Sequence, residues 1–304
     1  MFEIRQDYLT QTLTFMSKAR SLRPNFFADG KSEASLDEQC PFCAENCSSL
    51  VDIISVDYNG RIIILKNKFP AIGGEIGAHE VMIDTDIHWQ KFISFSAEEM
   101  MYSLKSIIKR GIELGNYENT KYVQLFKNDG KGSGASIDHS HWQLLAMPFV
   151  PQKQMIIHGN FEKYFIETRK SYIENLYEQK NLILYENGGA FAYIPHASPY
   201  EYNINIAPIK HVSTMADLDD GDIGCLGDAL KATLAGLYEK LGDFPFNICL
   251  QNAPKGEYRA SHFYMEIIPR RGSFAGLELS TQTYISGRFP EEQAADLAQF
   301  IRKI

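Results

Sequence analysis

Two stretches of this chain share one layout. Residues 67–100 read NKFPAIGGEIGAHEVMIDTDIHWQKFISFSAEEM, and residues 195–222 read PHASPYEYNINIAPIKHVSTMADLDDGD. In each, a proline-containing turn follows a strand, and a second strand comes next. A histidine then appears (His88, His211), and a polar stretch leads into a helix. Each unit later closes on a strand that opens with a histidine and ends near a proline, His139–Pro148 and His262–Pro269. A repeat constrains a fold more than any single motif, because each copy must build the same supersecondary unit and find cover for the same face. The layout predicts two halves, 1–155 and 156–304.

Local patterns give the class. Short apolar or alternating runs read as strands: Ser49–Val56, Arg61–Leu65, Glu80–Ile83, Lys121–Phe126, His141–Ala146, Leu182–Tyr185, Ala190–Ile194, Asn203–Ile206, Phe246–Gln251 and Phe263–Ile268. Turn signals such as Asn59-Gly60 and Asn187-Gly188-Gly189 bound them. Apolar residues three and four apart predict helices over Ala97–Leu114, Phe161–Gln179 and Asp219–Leu241. Ser96-Ala97-Glu98-Glu99 and the acidic run Asp217–Asp222 supply caps before two of them. The expected class is α+β with mainly antiparallel sheet.

Composition excludes several functions. A net charge of −8 argues against broad nucleic-acid binding, which needs a basic face. No run of about 18 apolar residues is present, so no membrane span is expected. The polar start, MFEIRQDYLTQTLTF, reads as no signal peptide. Five cysteines, an odd number, do not suit a disulfide framework, and the expected location is the cytoplasm.

Chemistry concentrates in Gly134-Ala-Ser136-Ile-Asp-His139-Ser-His141-Trp-Gln143. Strand alternation puts His139, His141 and Gln143 on one face and Ser140 and Trp142 on the other, so Trp142 reads as core. A neutral imidazole is a competent nucleophile towards phosphorus. The preceding Asn128-Asp-Gly-Lys-Gly-Ser-Gly offers backbone amides that a phosphate can approach. The spacing alone leaves a hydrogen-bonded structural pair of histidines as the alternative. Cys40-Pro-Phe-Cys43 reads as half of a metal site with His88 and His139, with Cys47 and His79 as rivals and an ordinary loop as the bland reading. Arg20-Ser-Leu-Arg23-Pro24 suits a phosphate clamp or a solvated basic patch. His158 reads as a surface residue, His196 and His211 as structural, and Cys225 and Cys249 as small core residues.

In order along the chain, these residues resemble the galactose-1-phosphate uridylyltransferase family of the histidine-triad superfamily, including its ADP-glucose phosphorylases. Glu3-Ile-Arg5-Gln-Asp7 with Thr10, Arg20-Ser-Leu-Arg23-Pro24, Cys40-Pro-Phe-Cys43, Asn67-Lys-Phe-Pro70-Ala71, Gly77-Ala-His-Glu-Val and Ile83–His88 each match a family segment. So do Phe126-Lys-Asn128-Asp-Gly130 with Gly134–Gln143, Ser198-Pro-Tyr-Glu201 and Gly276-Leu-Glu278.

The resemblance implies two fused histidine-triad-like halves and a homodimer. His141 would attack the α-phosphorus of a nucleotide sugar, with Gln143 and Ser136 on the phosphoryl oxygens. Asn67 and Asn128 would contact the nucleoside and phosphate, Arg20 and Arg23 would bind substrate as a phosphate clamp, and Glu278 would lie near the sugar-phosphate site. Cys40, Cys43, His88 and His139 would hold zinc. The acceptor would be a sugar 1-phosphate or, in the phosphorylase pattern that Ser140 approaches, inorganic phosphate. A nucleotide-sugar hydrolase and a nucleotide sensor without turnover are the other readings, and Gln143 in place of a third histidine counts against hydrolysis. His262-Phe-Tyr264-Met-Glu266 lacks the further histidines of several relatives, which speaks against a second metal site.

Overall fold

The computed structural model describes residues 2–18, 40–43, 46, 52–180, 182–256 and 258–301. Along the described chain run β1 (Phe2–Gln6), β2 (Leu13–Ser17), β3 (Ile53–Asp57), β4 (Ile62–Lys66), β5 (Ala78–Ile83), α1 (Ala97–Gly115), β6 (Tyr122–Asp129) and β7 (His141–Met147). Then follow α2 (Gln152–Thr168), α3 (Tyr172–Glu178), β8 (Ile183–Glu186), β9 (Ala190–Tyr193), β10 (Ile204–Pro208), α4 (Asp220–Leu241), β11 (Phe246–Gln251) and β12 (Tyr264–Pro269). The last three are α5 (Gly276–Thr281), β13 (Thr283–Ser286) and α6 (Pro290–Ile301).

One ten-stranded antiparallel sheet organises the molecule, in the order β3-β4-β5-β7-β6-β11-β12-β10-β9-β8. Read from either edge inward, the two sets of five strands follow the same connectivity, and they join where β6 pairs with β11. The repeat thus appears as one continuous α+β layer, and all ten strands expected from the pattern are found in it.

The two faces of this sheet differ. Trp142, Leu144, Leu125, Met82, Ile248 and Met265 point to one side and pack under α1 and α4 in the main core. Full burial of such side chains stabilises by roughly 1.5–3 kcal/mol each. Ser96 caps α1 in a capping box with Glu99, and Asp219 caps α4 in the same way with Asp222. Arg110 of α1 clamps Glu80 of β5 through two bonds of 2.8 and 2.7 Å, which fixes the helix on the strand. The opposite face is covered by α2 and α3 over the C-terminal strands, against Phe191, Tyr193 and Tyr264. Over β4–β7 that face carries the site.

Three elements at the chain ends have no strong sequence signal: β1, β2 and β13 form a separate small sheet. Its N-terminal hairpin docks on the C-terminal half. Arg5 donates to the His196 carbonyl (3.2 Å) and Glu291 (2.9 Å), and Thr14 donates to the Ala197 carbonyl (2.9 Å). The single helix expected over Phe161–Gln179 is two, since Arg169 turns left-handed at φ 59° and ends α2. The first of the two, α2, begins nine residues before the expected start and takes in His158, which it turns inward. The sequence reading placed it on the surface, yet it is 1% exposed and bonded to the Ser261 hydroxyl (2.7 Å) and the Asn252 carbonyl (3.1 Å). Cys225 and Cys249, expected in the core, are only half-buried.

Candidate active site and metal centre

The strand β7 sits between β5 and β6, with Gln143 opposite both Val81 and Phe126, and Ile83 opposite His141. Residues opposite one another share a face, so His141 and Gln143 lie on the helix-free side with His79, Asn67 and Asn128. Trp142, on the other side, is fully buried, as alternation predicts. His141 is 6% exposed, and its Nδ1 donates to the carbonyl of His139 at 2.8 Å. A carbonyl accepts only, so the neutral ring keeps its lone pair on Nε2. Burial pushes the His141 pKa down to about 4, which leaves the imidazole unprotonated at neutral pH.

Cys40, Cys43, His88 and His139 converge, with their ligand atoms all within 4.8 Å of one another. The Cys43 thiol is 3.2 Å from His88 Nδ1 and 3.7 Å from His139 Nδ1, and the Cys40 thiol is 3.7 Å from His139 Nδ1. Tetrahedral bonds of about 2.3 Å to sulfur and 2.0 Å to nitrogen require S–N edges of roughly 3.6 Å, so the set fits a four-coordinate metal ion. His139 Nε2 donates to the Thr85 carbonyl at 2.8 Å, which turns Nδ1 towards the thiols. Arg61 braces the loop that carries Thr85 and His88, through Asp86 (2.8 Å) and Glu99 (2.9 Å). Phe42, between the two cysteines, stacks edge-on against His141 with centroids 5.2 Å apart. The loop that carries Cys40 and Cys43 therefore also walls His141. Of the two rivals, His79 is bonded elsewhere, and Cys47 lies outside the described residues, as do Arg20 and Arg23.

The glycine-rich turn follows β6. Gly130 has φ +77° and would place a Cβ 3.2 Å from the Pro245 backbone, so the turn demands glycine there. Asn128 accepts from Asn247 at 2.7 Å, and Asn247 also donates to the Ser133 carbonyl and accepts from Arg270. Asn247 and Arg270 thus tie the turn to the C-terminal half. Their sequence signal would have been a polar residue on the site-facing parity of β11. Ser136 is exposed in the turn before β7. Glu278 sits in α5, where its carboxylate accepts the Ala275 N–H at 2.9 Å.

Behind the strand lies a feature the sequence reading missed. Lys127 and Asp84 are both fully buried and 3.0 Å apart. Lys127 Nζ also donates to the Ser140 hydroxyl (2.7 Å) and the His141 carbonyl (3.2 Å), while Ser103 and Trp142 donate to Asp84 (each 3.0 Å in at least one atom pair). Ser140 therefore faces away from the His141 side.

The C-terminal half keeps a trace of the same design. His211 and His262 lie with ring centroids 5.3 Å apart at 87°, as His88 and His139 do at 5.3 Å and 88°. His262 donates to the Pro208 carbonyl as His139 does to that of Thr85. Tyr264 and Glu266 stand where the strand pattern puts His141 and Gln143, in a cleft with Asn205. A buried phenol, its pKa raised by burial, and a carboxylate offer no welcome to a phosphate. Among the described residues, the Cys40–Cys43–His88–His139 group is the one that could hold a metal.

A buried histidine with its Nε2 lone pair free and a four-residue group able to hold a metal, on a two-fold repeated antiparallel sheet, define a histidine-triad fold of the nucleotidyltransferase type. Comparison with known proteins agrees. ADP-glucose phosphorylase of Arabidopsis thaliana is 27% identical over 331 residues, spanning 99% of this chain and 93% of that one. Galactose-1-phosphate uridylyltransferase of Thermotoga maritima is also 27% identical, spanning 98% of each. The crystal structure of the Arabidopsis ADP-glucose phosphorylase with bound ADP-glucose superposes with a TM-score of 0.90 at 26% identity, over 98% of this chain and 99% of that one. Residues 29–150 match a family model described as the N-terminal domain of a domain of unknown function, DUF4931. Over nearly its whole length the chain is thus similar to galactose-1-phosphate uridylyltransferases and to the related ADP-glucose phosphorylase.

Proposed function

We propose that this protein is a nucleotidyltransferase that moves a nucleoside monophosphate from a nucleotide sugar to a phosphate-bearing acceptor through a covalent nucleotidyl-His141 intermediate. The observation that carries the reading is the placement of His141: buried, walled by Phe42, and held through Nδ1 so that Nε2 carries the lone pair. In the first half-reaction Nε2 attacks the α-phosphorus, the P–O bond to the sugar phosphate breaks, and the sugar 1-phosphate leaves. In the second, an acceptor phosphate oxygen attacks the phosphoramidate, the P–N bond breaks, and the imidazole is returned. Gln143, Ser136, Asn67 and Asn128 would receive the nucleotide and its phosphoryl oxygens. Arg20 and Arg23 would clamp the phosphates, and Glu278 would serve the acceptor side.

The acceptor in this reading is a sugar 1-phosphate. Inorganic phosphate is the second reading, favoured by the likeness to the Arabidopsis ADP-glucose phosphorylase over nearly the whole length of both chains. The ion at Cys40, Cys43, His88 and His139 is read as zinc, from two thiolates and two imidazoles at tetrahedral separations. Its part is structural: it fixes His139, whose carbonyl in turn orients the His141 ring.

The chain divides in this account into a catalytic half, 1–155, and a half, 156–304, that serves as scaffold and acceptor side. A cytoplasmic homodimer completes the picture. The small sheet supports the dimer by exposing Phe2 (80%) and Ile4 (64%) on one face.

Isotope exchange tests the mechanism. Labelled sugar 1-phosphate should enter the nucleotide sugar with no second acceptor present, and His141→Asn should abolish the exchange. Turnover without any exchange would point to direct transfer or hydrolysis.

A further inference from the structure

We propose that His79 is a positioning residue that sets the carboxamide of Gln143 so that it presents its N–H donors, beside those of Asn67, to the transferred phosphoryl group. The proposal rests on the nucleotidyl-transfer reading above.

His79 lies on β5, on the site-facing side. Its Nδ1 accepts from the backbone N–H of Ala71 at 3.0 Å. A backbone amide only donates, so Nδ1 holds the lone pair and the neutral ring carries its hydrogen on Nε2. That Nε2–H lies 3.0 Å from Gln143 Oε1 and donates to it. With its oxygen engaged, the Gln143 amide turns its NH2 group the other way. Flipping the amide would set N–H against N–H.

Asn67 is set by a different partner. Its Oδ1 accepts the Phe69 N–H at 2.8 Å, so the atom 3.1 Å from His79 Nε2 is the nitrogen. Two donors meet there and neither satisfies the other, which leaves the Asn67 hydrogens for an acceptor from outside the protein. A phosphoryl group has acceptors only. One imidazole tautomer, selected by one backbone amide, thus fixes the polarity of Gln143, while the Phe69 N–H fixes that of Asn67. Gln143 shares the strand face of His141, two residues along. Such preorganised donors act where charge develops in the transition state.

The test is a double-mutant cycle on the single-turnover rate of nucleotidyl-enzyme formation, with metal content verified in every variant. Gln143→Ala should slow the step about 10²–10³-fold, the range for loss of one donor to developing charge. His79→Ala should slow it about 10–100-fold, as loss of an orienting partner does. The double variant should be no slower than Gln143→Ala by more than about two-fold, because His79 acts through the glutamine. If the alanine variant does not fold, His79→Asn carries the same cycle, since it cannot bridge Ala71 and Gln143 together. Long-range nitrogen–proton NMR on histidine-labelled, metal-loaded protein should find the Nε2–H tautomer at His79.

Losses that multiply, a native rate in His79→Ala, or an Nδ1–H tautomer each overturn the proposal. A native protein that forms no adduct with any UDP- or ADP-sugar overturns the transfer reading instead. The tautomer measurement separates the two failures, because it needs no turnover.

Discussion

Replacing Lys127 by methionine removes the cation of an ion pair in which both side chains are wholly buried. The Asp84 carboxylate would keep donors from Ser103 (3.0 Å) and Trp142 (3.0 Å) but lose its counter-charge in a low-dielectric core. The Ser140 hydroxyl and the His141 carbonyl would each lose a partner as well. Breaking a buried pair from one side costs about 3–5 kcal/mol, and the two retained donors place this case towards the lower end. For a chain of this size about 2 °C of melting temperature accompanies each kcal/mol, so Tm should fall by roughly 6–10 °C. The assay is thermal denaturation at pH 7 with metal saturated, for Lys127→Met and for Lys127→Met combined with Asp84→Leu. Removing both charges leaves no orphan, so the double variant should be more stable than the single one. A single variant within about 1 kcal/mol of native, or a double variant less stable than the single, would refute the reasoning.

Three further outcomes follow from the structure. His158 and His262 are buried, and burial pushes their pKa values from 6.5 down to about 4 and about 3, so below pH 6.5 the unfolded chain binds protons the folded one refuses. Stability should therefore fall as pH drops from about 6.5 towards 4, by roughly 2 kcal/mol per histidine at pH 5, read by urea denaturation across pH; a flat profile over that window would contradict it. Cys43→Ala should abolish metal retention by elemental analysis and cut turnover about 10–100-fold, since His139 and through it the His141 ring lose their anchor; full activity without metal would count against the structural role. Gly130→Ala should cost about 1–3 kcal/mol or weaken donor binding, because φ +77° and the Pro245 backbone oppose a side chain there. An alanine variant with native Tm and native KM would show that the turn is not so constrained.

Much of this site was legible because strand periodicity carries it. The alternation in His139–Gln143 assigned both faces of β7, and Trp142 is in the core as that parity requires. The duplicated layout anticipated a sheet whose two halves repeat one connectivity. Lys127 was legible in principle, since it shares parity with the buried Val123 and Leu125, but a lysine breaks the apolar pattern and reads as solvent-facing. The burial of His158 depended on where α2 begins, and only the packing of α2 against Ser261 and Asn252 decides that. The small sheet escaped notice because β13 pairs with β2 from the far end of the chain, a contact no local window contains. His79 was read only as a rival metal ligand; its bonds to Ala71 and Gln143 depend on the turn after Pro70 folding back on β5.

Intact mass of the protein after incubation with a panel of UDP- and ADP-sugars, with no acceptor present, addresses the covalent mechanism itself. The account predicts an added mass of UMP or AMP that is absent in His141→Asn and disappears when sugar 1-phosphate or inorganic phosphate is supplied. No adduct from any donor, in protein that retains its metal, would contradict it and leave hydrolysis or nucleotide sensing as the reading of the site.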